Sequence, residues 1–173
     1  MLRGSRAAVL REGVAVGLIG AGSVAAWFLV VDIIAGRPFF TPAVLGSVIF
    51  LGLDDPAAVV IGVKTVAAYT AFHLLAFLIV GTIASALVTD ANRSPHAIWL
   101  FIEFFVVFEI GFYAAVALVF TPLLAALAWV NVALGNVIAA VAMGYYLWRA
   151  HPELHAALTF RDADSPDGRS DPT

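Results

Sequence analysis

Two carboxyl groups, Glu103 and Glu109, stand inside an apolar stretch that runs from Ala97 to Phe120. A carboxyl group at bilayer depth is costly, so each needs a hydrogen-bonding partner, a bound proton or a task. Glu109 falls near the middle of this stretch. Asn136 falls near the middle of a later apolar run, and His73 in the outer half to middle of an earlier one. Tyr69 and Tyr113 lie one helical turn outward from His73 and Glu109, on the same faces. The positions predict an intramembrane polar cluster of His73, Glu109, Asn136, Tyr69 and Tyr113, with Trp27 near the same level. Away from a cation a buried carboxyl group keeps its proton, and a neutral Glu109 suits a hydrogen bond to His73 or Asn136. Two kinds of role are open to such a cluster. It can fix helix register at ~1 kcal/mol per contact, or it can relay protons or ions.

Glu103 belongs elsewhere. Six residues from Glu109, it points about 120° away around a helix of ~3.6 residues per turn. It is expected at a helix seam, a partner subunit or the inner headgroups. Asn131 and Asn136 diverge in the same way, which argues against one compact four-ligand site.

Several chemistries are excluded or unsupported. With no cysteine there are no disulfides, thiolate metal sites or cysteine nucleophiles. Haem held by two histidines needs a second intramembrane histidine, but His96, His151 and His155 fall at or beyond the inner boundary. A di-iron carboxylate site needs Glu-x-x-His pairs, whereas Glu103 and Glu109 are followed three residues later by Val106 and Phe112. The phosphate-loop, zinc-protease and serine-hydrolase signatures are absent, and Thr82 and Ser85 read as helix-packing residues. No basic stripe supports nucleic-acid binding. No cofactor or metal is expected, and the reading leans away from an enzyme.

The elements that must position these residues follow from composition. The 173-residue chain is 62% hydrophobic and 12% charged, with a mean hydropathy of +0.99. Average soluble domains are about 25% charged. Four stretches exceed the roughly 18 apolar residues of a membrane span, over about 13–34, 57–88, 97–120 and 124–147. The fold class expected is therefore all-α, an integral membrane four-helix bundle in a single domain over 1–158. The fifteen Leu, Ile, Val and Phe residues of the third span outweigh its two carboxyl groups by only a small margin on the insertion scale.

Arg3, Arg6 and Arg11 precede the first span, Arg93 sits between the second and third, and Arg149, Arg161 and Arg169 follow the fourth. The other side holds only Arg37 and Lys64. The positive-inside rule then places both termini in the cytoplasm, and Trp99, Tyr145, Tyr146 and Trp148 fall at the inner interface. The first span is too long and uninterrupted for a cleaved signal peptide. Between spans one and two, Gly36-Arg37-Pro38 breaks the first helix and Thr41-Pro42 reads as a cap followed by proline. The apolar Ala43–Leu51 is too short to span, so it forms an interfacial or re-entrant helix. Asp54-Asp55-Pro56 repeats the cap signal ahead of the second span. The acidic tail, 159–173, has too little apolar surface to fold and is expected to be disordered. Gly13-x-x-x-Gly17, Gly135-x-x-x-Ala139 and Ala140-x-x-x-Gly144 are spacings that permit close helix packing.

The strings Asp32-x-x-Ala35-Gly36-Arg37-Pro38-Phe39-Phe40-Thr41-Pro42, Phe108-Glu109-x-x-Phe112 and Tyr146-Leu147-Trp148-Arg149-x-His151-Pro152 resemble small uncharacterised four-span bacterial inner-membrane proteins. The resemblance spans most of the chain except the tail. It implies the bacterial inner membrane and carries no activity. The function expected first is a self-associating or accessory subunit of a membrane complex, whose partners are the bilayer, further copies or other membrane subunits. An oligomeric proton-coupled or small-solute transporter using Glu109 and His73 comes second, and a membrane-embedded redox or enzyme subunit third.

Overall fold

The computed structural model describes residues 2–53, 55, 58–91, 103, 106, 107, 110 and 122–152. These form four helices, α1 (Leu2–Ile34), α2 (Phe40–Leu51), α3 (Val63–Ala91) and α4 (Pro122–Ala150). No strand occurs among the described residues. The protein is an all-helical bundle. Stretches of α1, α3 and α4 are each long and apolar enough to cross a membrane, and α2 is a shorter apolar helix. The expected third span, 97–120, lies outside the described residues except at Glu103, Val106, Val107 and Ile110, which are helical. The expected tail also lies outside them.

Helix α1 is the spine. It runs antiparallel to α3 at a glycine crossing so close that backbone meets backbone. A β-carbon at Gly81 would lie 2.4 Å from the Gly13 carbonyl oxygen and 2.4 Å from the Gly17 nitrogen. One at Gly17 would lie 2.6 Å from the Phe77 oxygen, and one at Gly13 2.5 Å from the Thr82 α-carbon. The Gly13-x-x-x-Gly17 spacing therefore finds its partner in Gly81. In lipid, where apolar burial drives little association, close packing of this kind is a main source of helix affinity.

On another side α1 meets α4. Gly135 leaves room for the Trp27 ring, which a β-carbon there would approach to 3.1 Å, and the Trp27 indole N–H donates to the Asn131 carbonyl at 2.8 Å. At Gly144, by contrast, nothing described comes within 4 Å. The buried core of Val16, Ala84, Val88, Met143 and Leu147 draws on all three long helices.

The loop helix starts differently from the expected Thr41 cap. Its first residue is Phe40, behind Phe39 in the left-handed region at φ 65. The cap comes from α1. Asp32, only 3% exposed, accepts the Thr41 backbone N–H at 2.8 Å and the Thr41 hydroxyl at 2.7 Å. A carboxylate suits this place because it satisfies an unpaired donor and faces the positive end of the helix dipole. Pro42 then sits at the third helical position, where its missing N–H leaves no intrahelical bond unmade.

Gly46 abuts the Thr65 carbonyl, where a β-carbon would come to 2.3 Å, and Phe50 meets Phe72 edge-to-face at 6.3 Å. The two contacts advance together, so α2 runs in the same direction as α3. Its last turn lies level with Phe72, ~14 Å along α3 from Val63 at 1.5 Å per residue. Gly52, at φ 64, ends it by donating its N–H to the Ser47 and Val48 carbonyls.

Helix α3 begins at Val63, six residues later than the proline signal implies. The β-branched run Val59-Val60-Ile61 followed by Gly62 disfavours helix. Gly62 instead serves as the start, its carbonyl accepting the Val66 N–H and the Thr65 hydroxyl.

The crossing yields a paired test. Gly81→Ala is expected to lower stability by about 1–3 kcal/mol through overpacking. Gly22→Ala, where nothing lies within 4 Å, should be neutral or stabilise by up to about 1 kcal/mol through helix propensity. Equilibrium unfolding in detergent compares them, and equal effects would remove the crossing as the tight point.

Candidate functional site

The most connected polar group is Glu12, one residue before the glycine crossing. Its carboxylate accepts the Ser85 hydroxyl from α3 at 2.5 Å on Oε2. Its Oε1 lies 2.8 Å from Nε2 of His151, the residue that follows α4 and donates its backbone N–H to Leu147. One carboxylate thus joins all three long helices at one end of the bundle. The Glu12 and His151 side chains are 18% and 14% exposed, and Ser85 is fully buried.

Serine, carboxylate and histidine are the components of a hydrolase triad, but the order is wrong. In a nucleophilic triad the histidine lies between serine and carboxylate, so that it can take the hydroxyl proton. Here the carboxylate is in the middle and Ser85 donates to it directly. The arrangement puts no imidazole base on the serine and works as a tie between helices. Among the described residues, no three histidine or acidic side chains converge as a metal site would require.

The predicted cluster falls only partly among the described residues. Tyr69 and His73 stack with centroids 5.7 Å apart and ring planes at 25°, and His73 also packs on Phe77 at 4.7 Å. His73 Nε2 lies 3.3 Å from the Ala21 carbonyl of α1. A carbonyl only accepts, so in a neutral ring Nε2 carries the hydrogen and Nδ1 is left as an acceptor. Asn136 is half-buried on α4, beside the glycine that packs on Trp27. Trp27 and Ala21 are six residues apart on α1, ~9 Å along its axis, so the levels of Asn136 and His73 are offset by about that distance. Glu109 and Tyr113 lie outside the described residues. Glu103 is exposed on a helical residue.

Sequence reasoning missed Glu12 altogether, took Ser85 as a packing residue and left His151 at the boundary. A signal existed: Ser85 is one turn from Gly81, so pairing Gly81 with the Gly13–Gly17 motif brings Ser85 beside Glu12.

No protein family, curated protein or solved structure matches this chain.

The tie predicts non-additivity. Ser85→Ala alone should cost about 1 kcal/mol, and much less in a Glu12→Ala background, where its acceptor is already gone. Equilibrium unfolding of the two single variants and the double variant measures the coupling. Additive effects would show that the Glu12–Ser85 contact contributes nothing.

Proposed function

We propose that this protein is a self-associating or accessory subunit of a membrane complex, recognised through the face that carries Glu103. The supporting observation is the pattern Glu103, Val106, Val107, Ile110, all helical and all exposed. Spaced i, i+3, i+4 and i+7, they occupy one helix face. Exposed valine and isoleucine are ordinary toward lipid. A carboxyl group among them is not, because lipid cannot satisfy its hydrogen bonds. Six positions after Ala97 in the sequence, Glu103 is well placed to meet a donor on a neighbouring subunit.

Purification in mild detergent at native expression, with mass spectrometry of co-purifying chains, tests this. Glu103→Leu should keep or raise the stability of the isolated chain while lowering recovery of its oligomer or partner at least tenfold. A wild-type chain that is monomeric and alone would sink the reading.

A second reading, proton-coupled or small-solute transport in an oligomer, draws on His73. Its stacked ring offers Nδ1 as an acceptor next to Tyr69, and intramembrane ionisable groups concentrate in such pathways. On this reading Glu109→Gln and His73→Ala leave assembly intact and abolish flux in proteoliposomes. On the subunit reading they alter yield or stability, with no flux to lose.

A further inference from the structure

The end of the bundle closed by Glu12 carries a second pattern that the tie does not use. Helix α1 continues ten residues past Glu12 to Leu2, ~15 Å at 1.5 Å per residue. Arg6 and Arg11 are exposed on this extension, and Arg3 lies one turn before Arg6. Helix α4 ends here too, with Arg149 exposed two residues before His151. Five residues separate Arg6 and Arg11, so they project to different sides of α1, ~140° apart. Arg149 stands on the neighbouring helix at the same end.

Acidic neighbours decide whether a collar is free to act. Glu12, one residue after Arg11, turns its carboxyl oxygens to Ser85 and His151, and neither of these bonds is to an arginine. Asp90 near the end of α3 and Glu103 are further acidic positions among the described helical residues. Arg149 sits beside aromatic groups, one Nη donating to the Tyr145 hydroxyl at 3.3 Å with the guanidinium 5.8 Å from that ring. Tyr145 is 62% and Trp148 41% exposed. Exposed tyrosine, tryptophan and arginine at the end of an apolar helix are the composition of a headgroup layer.

We propose that Arg6, Arg11 and Arg149 form a collar that binds the phosphodiester anions of acidic phospholipids in the adjoining leaflet. A guanidinium pairs with phosphate oxygens through two parallel N–H donors, and clustered basic residues beside a span favour anionic lipid. This binding is independent of the Glu103 face.

Thermal unfolding in nanodiscs tests the collar. The wild-type midpoint should be several degrees higher in phosphatidylglycerol mixtures than in phosphatidylcholine, and the difference should shrink at high salt. A variant combining Arg6→Gln, Arg11→Gln and Arg149→Gln should unfold like the wild type in phosphatidylcholine and show no gain from phosphatidylglycerol. Equal wild-type midpoints in the two lipids, or a variant that keeps the gain, overturns the proposal. Native mass spectrometry of the wild type provides a measure that does not rely on the variant. Preferential retention of phosphatidylglycerol supports the collar, and indifference between the lipids overturns it. Free glycerol phosphate that reproduces the shift in phosphatidylcholine discs would reassign the anion to a soluble source and overturn the lipid site.

Discussion

Everything in this bundle is referred to the approach of α1 and α3 at Gly13, Gly17 and Gly81, where no side chain separates the two backbones. That distance sets the register of α3 on α1, and the register aligns the polar contacts. With Gly81 against Gly13 and Gly17, Ser85 falls beside Glu12 and His73 falls beside Ala21. A crossing even one methyl group wider would lengthen both hydrogen bonds. The small residues therefore govern the polar chemistry indirectly, by deciding which positions meet.

These polar ties are distributed along α1. Glu12, Ala21, Trp27 and Asp32 each bond a different partner element or level. In an apolar solvent an unmade hydrogen bond is expensive, so these ties discriminate against wrong helix rotations more than they add net affinity. Asp32 does the same for α2. A 12-residue apolar helix has nothing in its own sequence to fix where it enters, and the carboxylate on α1 supplies that reference point.

The long helices were legible because a membrane span announces itself by length and apolarity alone, and α2 was legible because Ala43–Leu51 is too short to cross. What stayed hidden depends on helix rotation. Glu12, Ser85 and His151 are separated by 73 and 139 positions, and each alone is an ordinary boundary residue. The Asp32 cap was hidden for a related reason, since local capping rules look for the acceptor next to the helix and here it lies nine residues upstream on another element. The Tyr69–His73 pair was readable from its four-residue spacing. The offset of Asn136 from His73 was not, since it depends on where Gly135 meets Trp27.

The two carboxylates of α1 also impose an order on biosynthesis. Asp32 meets its partner within nine residues, so the turn into α2 can close almost as soon as it leaves the ribosome. Glu12 must wait for Ser85 and then for His151, one of the last described positions to be made. Until then its carboxyl group lacks these bonding partners, and an unmade pairing of that kind is costly away from water. The tie that finally forms is thus a record of completion. A chain truncated before His151 would present the same spine with that carboxyl group bonded to Ser85 alone of the two.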